Sequence, residues 1–302
     1  MKKFALMGAG GYIAEKHLRA IKDTGNILVA ALDKNDSVGI LDSYFPDCSF
    51  FTEFERFDRH LEKLRIEEKE KVDYVSICSP NYLHDAHVRF GLRIGADVIC
   101  EKPLVLNPWN IDALTRIEKE SIGNVNTILQ LRLHPSIIKL KKSIDKSSEK
   151  EFDINLTYIT PRGKWYDASW KGDMEKSGGI ATNIGVHFFD ILIWIFGAVG
   201  ENTVYTHNKR KATGFLKLQR ASVNWFLSLE EKDIPNNIDR NTYRSIRVNG
   251  EKIEFSKGFV DLHTLSYQEV LDGNGNDLEA VKPSIQLVSE IRRKTPSMIP
   301  KF

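Results

Sequence analysis

Two short stretches concentrate residues that could move a proton. In "DVICEKPL", residues 97–104, the apolar strand-like run Val98, Ile99 and Cys100 ends on Glu101 and Lys102, and Pro103 stops it. Lysine and glutamate are rarely fully buried unless paired. A core strand that ends on both therefore needs a reason. One is a salt bridge between the two. The other is a lysine presented for proton transfer or for orienting a hydroxyl. The second stretch is "KSGGIATNIGVHFFDILIW", residues 176–194. Gly178 and Gly179 give a flexible entry to a helix in which Asn183 and His187 stand four apart and share a face. Asp190, three beyond His187, can reach the same side. An otherwise apolar helix carries three polar residues on one stripe either for chemistry or as a satisfied core network.

A third stretch, "GAGGYIAEKH" at residues 8–17, follows an apolar run and opens a helical pattern. In that context glycines let a phosphate approach the backbone, and the N–H groups at the helix start can hold a pyrophosphate. Counted as GxGxxG from Gly8, the last place is Ile13; shifted by one, Ala9, Gly11 and Ala14 fill it. Gly8, Gly10, Gly11, Tyr12 and Ile13 are thus the phosphate-loop candidates. Asp33 ends the next strand, where a carboxylate can accept ribose hydroxyls and would repel a 2′-phosphate. The expected cofactor is NAD. Lys102 beside its cationic ring would lose charge more easily than its free pKa of about 10.4 implies.

The elements that must position these groups alternate. Strands at 2–7, 27–33, 72–80 and 97–100 are separated by helical patterns, at 14–24, near 36–44, at 53–70 and at 83–95, with a capped helix after residue 106. Such alternation implies βαβ units and a parallel sheet. The first helix repeats apolar spacing at Ala14, His17, Leu18 and Ile21. From about residue 150 the period changes to two, in "EFDINLTYIT" (151–160) and "ASVNWFLSL" (221–229), and Asn249-Gly250 is a two-residue hairpin turn between 243 and 256. One-sided alternation predicts an open, mostly antiparallel sheet. A long helix at about 180–196 and a last helix at about 283–294 would cover one side. The fold class is therefore α/β: a doubly wound parallel Rossmann sheet in residues 1–120, and an α+β domain for substrate binding and oligomerisation in residues 121–302.

Composition narrows the classes. The chain has 302 residues, 41% hydrophobic and 28% charged, with net charge +2. That is material for about two domains of roughly 150 residues. No basic stripe supports a nucleic-acid partner, and "EEKEK" (67–71) reads as a solvated helix end. The apolar stretch 184–200 carries His187 and Asp190, so it reads as a core helix and no membrane partner is expected. "MKKFALMGAGG" reads as a first strand and not as an export signal. Three cysteines, Cys48, Cys78 and Cys100, with no CxxC, make a disulfide framework improbable and a cytoplasmic location the expectation. His84, Asp85 and His87 in "NYLHDAHV" invite a metal, but no further ligand run supports one, and none is expected.

Taken together, the loop ending in His17, "SPNYLH" (79–84), "EKP" (101–103) and "GG…GVHFFD" (178–190) resemble the glucose–fructose oxidoreductase / inositol dehydrogenase family of NAD(P)-dependent sugar oxidoreductases. The segments "CEKPL", "ILQLRLHP", "RGKWYDASWKGD" and "GFVDLHTLSY" further resemble bacterial UDP-N-acetyl-glucosaminuronate 3-dehydrogenases. The resemblance covers nearly the whole chain. It implies oxidation of a sugar C3 hydroxyl on a UDP-sugar, in the making of diacetamido uronic acids for O-antigen and other surface polysaccharides. It also implies recycling of NADH by 2-oxoglutarate, and a homo-oligomer, dimer or tetramer, built on the open sheet. Catalytic roles fall on Lys102, His187 and Asn183, and further cofactor contacts on Ser79, Pro80, Asn81, His84, Glu101 and Gln130. Substrate contacts fall on Arg162, Trp165, Tyr166, Ser169 and Lys171 besides Asn183 and His187. Gln130 and Arg132, leaving a strand "TILQLR", would line the same cleft. The wider family carries an aspartate where this chain has Asn183, and an amide cannot act as a base. Two rival readings stand beside this one: another sugar or inositol dehydrogenase of the family, and a catalytically silent NAD-binding sensor.

Overall fold

The computed structural model describes residues 1–67, 71–236, 242–253 and 261–297. The chain divides into two compact units. The first comprises Met1–Val105, Trp109–Gln130 and Asp261–Val281; the second comprises Leu106–Pro108, Leu131–Val260 and Lys282–Phe302.

The first unit begins with β1 (Lys3–Met7), α1 (Ala14–Asp23), β2 (Ile27–Leu32), α2 (Ile40–Tyr44), β3 (Ser49–Phe51) and α3 (Phe54–Ile66). It continues with β4 (Tyr74–Ile77), α4 (His84–Arg93), β5 (Asp97–Cys100), α5 (Pro108–Glu120) and β6 (Val125–Thr127). The six strands lie in the order β3-β2-β1-β4-β5-β6, all parallel. Strands such as "FALM" and "YVSI" are buried throughout, because helices cover both faces of a parallel sheet. On α1 the residues that go inside are Ala14, His17, Leu18, Ala20 and Ile21, the face that the apolar spacing marks. The strand order reverses at β1 and β4, and ligands of such sheets bind at the carboxyl ends beside that reversal.

The second unit holds α6 (Pro135–Lys146), β7 (Phe152–Ile159), α7 (Lys164–Ala168), α8 (Met174–Ser177) and α9 (Val186–Phe196). Strands β8 (Val199–His207), β9 (Lys211–Leu218), β10 (Ala221–Ser228), β11 (Tyr243–Val248) and β12 (Glu251–Ile253) follow. They form a sheet of order β12-β11-β7-β10-β9-β8, antiparallel except where β10 runs parallel to β7. Phe152, Ile154 and Leu156 of β7 are buried, as period two requires, whereas Tyr158 is only half-buried and Ile159 is buried out of phase. Asn249 and Gly250 form the hairpin turn with φ of 50° and 83°, both in the left-handed region that such a turn needs. The sequence beyond Ile253 in this hairpin lies outside the described residues, as do residues 68–70 of the charged stretch after α3.

Four expectations change. The first unit extends past residue 120 to Gln130 and recruits α10 (Leu262–Leu271), which packs on α1. The reason is burial: Tyr267 and His263 of α10 are enclosed by first-unit groups. "TILQLR" is not one strand: β6 stops at Thr127 and Gln130–Leu133 form a 3₁₀ turn. The helix at 180–196 is not uniform either, because Ala181–Gly185 form a π-helical turn that feeds α9. The last helix, α11 (Leu278–Arg293), starts earlier than Pro283 and carries that proline inside it. The segment Met174–Phe196 is long and apolar enough to cross a membrane, with 78% of its apolar window buried inside the protein. That degree of burial is how a core helix behaves.

Candidate active site

In the first unit the loop after β1 sits against the ends of its neighbours. Gly8 N donates to Leu32 O (2.7 Å), and Cys78 N donates to Met7 O (2.9 Å). Gly8 has φ of 102°, and a Cβ there would lie 2.6 Å from Ser79 N. Only glycine lets the loop and the β4 end approach this closely. Gly10 N donates to Asp33 Oδ2 (2.9 Å), while Asp33 Oδ1 accepts from Asn35 N (2.9 Å). A Cβ on Gly10 would lie 3.3 Å from that carboxylate. The candidate loop glycines and the candidate acid Asp33 are therefore one assembly. Gly10, Gly11 and Tyr12 stand exposed at its rim, and Ile13 is half-buried beneath. Gln130 Oε1 is buried without a hydrogen-bond partner among the described residues, an acceptor left for a ligand. Exposed glycines backed by an acid, and an orphaned amide oxygen in the same unit, fit a dinucleotide.

The segment after β4 is held from behind. His84 is buried, its Nδ1 2.7 Å from Pro103 O and its Nε2 2.8 Å from Ser79 O. Burial lowers its pKa against the pull of those carbonyls. His84 thus ties Ser79 and Pro80 to the "EKP" turn as a brace. His87 Nδ1 meets Ser79 Oγ at 2.9 Å, and burial pushes that imidazole down to about 4. The three residues that invited a metal are engaged elsewhere: both histidines hydrogen-bond Ser79, through its O and its Oγ, and Asp85 pairs with Arg89. Asn81, buried, completes the loop.

At the end of β5, Glu101 N donates to Ile77 O (2.8 Å), continuing the ladder by one residue. The Glu101 side chain turns inward, 6% exposed. Its Oε1 is 2.8 Å from His263 Nε2 and 3.2 Å from His17 Nε2, and its Oε2 accepts from Lys102 N (3.2 Å). Burial alone would raise this carboxyl, but hydrogen bonds from the two imidazoles outweigh it and hold it well below the usual range. Lys102 is half-buried and precedes a cis peptide bond to Pro103. Glu101 is therefore a buried, ionised neighbour of Lys102 and not an exposed partner in a surface salt bridge. Sequence reasoning placed Glu101 on the cofactor and missed both histidine contacts. The available signal was the pairing of His263 with Tyr267 at i,i+4, one face of a helix.

In the second unit Gly178 and Gly179 have φ of 79° and 75°, so the entry to the π turn needs glycine twice. Single π turns inside helices recur at functional sites. Asn183 lies in this turn and donates from Nδ2 to the Tyr166 hydroxyl (2.8 Å). Both are buried, and burial raises the Tyr166 phenol. Two sequence candidates from distant motifs thus meet. His187 follows on α9, half-buried. Asp190 does not join it. Arg132 donates to Asp190 through Nε (2.8 Å) and Nη2 (2.7 Å), and its guanidinium lies over Trp194. Arg132 thereby braces α9 through Asp190. Ser169 Oγ donates to Tyr166 O (2.9 Å), closing the turn after α7. Lys171 lies over the rings of Trp170 and Trp165, at 4.5 and 5.8 Å. Trp165 is 57% exposed, and Arg162 is half-buried beside Arg210, which donates to Arg162 O. An open pocket of about 370 Å³, lined by Leu106, Asn107, Met174, Glu175, Arg292 and Arg293, contains none of these candidates.

Comparison with known proteins agrees with this division. Residues 2–126 match the model of the oxidoreductase family, NAD-binding Rossmann fold, and residues 150–215 match its C-terminal alpha/beta domain. The WlbA (WbpB) dehydrogenase of Thermus thermophilus, solved in complex with NAD and alpha-ketoglutarate, is 46% identical, covering 99% of this chain and 97% of that one with a TM-score of 0.96. The same enzyme was also solved with NAD and UDP-GlcNAcA, with a TM-score of 0.95. The WlbA dehydrogenase of Bordetella pertussis, at 20% identity and a TM-score of 0.80, shares the fold. Inositol 2-dehydrogenase of Rhizobium meliloti is 24% identical over 65% of this chain and 55% of its own length. The oxidoreductase YteT of Bacillus subtilis matches over 36% of its length at 28% identity, so this chain aligns with about half or less of these two relatives. The chain belongs to the Gfo/Idh/MocA oxidoreductase family and carries that family's NAD-binding Rossmann domain.

Proposed function

We propose that the protein oxidises the C3 hydroxyl of UDP-N-acetyl-glucosaminuronate to the 3-keto sugar. The observation that carries this is the 46% identity, across 99% of the chain, to a dehydrogenase solved with NAD and UDP-GlcNAcA. The arrangement within each unit supports it. NAD, when bound, supplies the hydride acceptor. Lys102 and His187 are the two candidate bases for the hydroxyl proton, and Asn183, fixed by Tyr166, orients the sugar. Asp33 and the glycines of the loop receive the ribose and the pyrophosphate. Arg162 and Lys171 offer charge to the diphosphate and the carboxylate, and Trp165 offers a face for a ring.

The relative solved with alpha-ketoglutarate supports a second half-reaction, in which 2-oxoglutarate takes the hydride and a proton and leaves as the 2-hydroxy acid. We assign the enzyme to the cytoplasmic synthesis of diacetamido uronic acids for surface polysaccharide. We also infer a homo-oligomer, since the second sheet is open on one face. The test is direct. Purified protein is incubated with NAD⁺, 2-oxoglutarate and UDP-N-acetyl-glucosaminuronate, and the sugar is followed by mass spectrometry. Loss of two hydrogens is expected. Unchanged UDP-sugar alongside oxidation of a free sugar or inositol would replace this reading with that of a different dehydrogenase.

A further inference from the structure

The Glu101 carboxylate is the hub of a buried chain that proton removal does not itself require. His17, Tyr267 and Ser76 are wholly buried, and His263 is 6% exposed. His17 Nδ1 lies 2.7 Å from the Tyr267 hydroxyl, which lies 2.7 Å from Ser76 Oγ. Four elements meet here: α1 gives His17, β4 gives Ser76, the β5 end gives Glu101, and α10 gives His263 and Tyr267.

The protons can be counted. An ionised carboxylate only accepts, so both imidazoles must donate to Oε1 from Nε2. A neutral His17 then has a bare Nδ1 facing the Tyr267 hydroxyl, whose oxygen is held on its other side 2.7 Å from Ser76 Oγ. Burial lowers the His17 pKa and so favours this neutral form. With two histidine donors on Oε1, Oε2 accepts from the Lys102 N–H. The peptide that aims Lys102 is thereby fixed through its neighbour's side chain. His17, Glu101 and His263 are also a donor set a zinc ion could use. Here both imidazoles converge on one carboxylate oxygen at hydrogen-bond lengths, the arrangement of two donors on one acceptor.

We propose that His17, His263 and Tyr267 are positioning residues for Lys102, acting through Glu101. The proposal rests on the reading of Lys102 as a group that acts on the sugar hydroxyl. The experiment compares wild type with His263→Ala, His263→Gln and Tyr267→Phe. Glutamine keeps an N–H donor near the place of His263 Nε2; alanine removes it. His263→Ala should lower kcat by about 10- to 100-fold, the scale of a small misplacement, with KM and NAD affinity little changed. His263→Gln should recover most of that loss, and Tyr267→Phe should fall between them. A readout independent of the sugar is the pH dependence of Lys102 acylation, measured by peptide mass spectrometry. It should shift in His263→Ala and return toward wild type in His263→Gln. Folded alanine and phenylalanine variants with wild-type kcat and an unshifted Lys102 profile would overturn the proposal. So would one equivalent of zinc in the purified protein that His263→Ala abolishes. If wild type turns over no UDP-sugar, the functional reading fails, and the acylation profile still decides the positioning claim.

Discussion

Each unit buries one carboxylate beside a group proposed to act on the substrate, and the two are steadied by opposite means. In the first unit Glu101, 6% exposed, takes two imidazole donors and one backbone N–H. In the second, Asp190, 2% exposed, takes both arms of Arg132. Burial works against ionisation at both. At Glu101 the two histidines outweigh it, and the carboxyl stays well below its ordinary range. At Asp190 burial prevails, Arg132 offsets it only in part, and the carboxyl is raised. Two imidazole donors therefore hold the strand end that carries Lys102, whereas a guanidinium holds the helix that carries His187. The first arrangement should respond to pH. The second should respond to loss of a charge.

Lys102→Met gives the largest expected effect. Turnover should drop by about 10³-fold or more, the upper range for a general base, with NAD still bound by fluorescence titration. His187→Asn should behave alike if both units contribute to the chemistry. Near-normal rates in both variants would sink that assignment. Next comes Arg132→Met. It strands Asp190 without its cation and should cost about 3–5 kcal/mol in urea unfolding, while Arg132→Met with Asp190→Asn should recover much of it. A single-variant loss below about 1 kcal/mol would mean that the pair does not brace α9.

Acid sensitivity of the first unit ranks third. The His87 pKa lies near 4 when folded, below the ordinary value of 6.5. The unfolded chain then binds the extra proton first, so stability falls as pH drops from about 6.5 toward 4. One such group amounts to at most about 3 kcal/mol. His17 and His84, also lowered by burial, act in the same direction. His87→Gln should flatten the pH dependence of the urea midpoint in that window, and an unchanged slope would contradict the assignment. The smallest effect is Gly10→Ala. Its methyl would press on the Asp33 carboxylate, and NAD should bind about 10-fold more weakly, about 1.4 kcal/mol, with folding stability nearly intact.

Local signals carried most of the first unit. Continuous apolar runs marked its strands, and glycine, Asp33 and "EKP" fell at the strand ends where a parallel sheet exposes them. Period two marked β7, and Asn249-Gly250 marked the hairpin. What could not be read was long-range. Nothing near Tyr267 says that its hydroxyl meets His17, 250 residues earlier. For the same reason nothing local assigns the segment of α10 to the first unit. Tyr166 and Asn183 were both singled out, yet their contact depends on how α7 folds back, which spacing does not encode. The π turn escaped because its sequence, "ATNIG", reads equally well as ordinary helix. Asp190 reads as a companion of His187 because charge in an apolar helix looks functional until its partner, Arg132, is known.

The central claim is hydride removal from C3 of the UDP-sugar, and an isotope tests it without assigning a base. UDP-N-acetyl-glucosaminuronate deuterated at C3 is mixed with enzyme and NAD⁺, and the reduced cofactor is examined by mass spectrometry. The account predicts one deuterium on the nicotinamide for each sugar oxidised, and a turnover slowed when hydride transfer limits the rate. Reduced cofactor without deuterium, or deuterium retained on a sugar that has nonetheless changed mass, would contradict it.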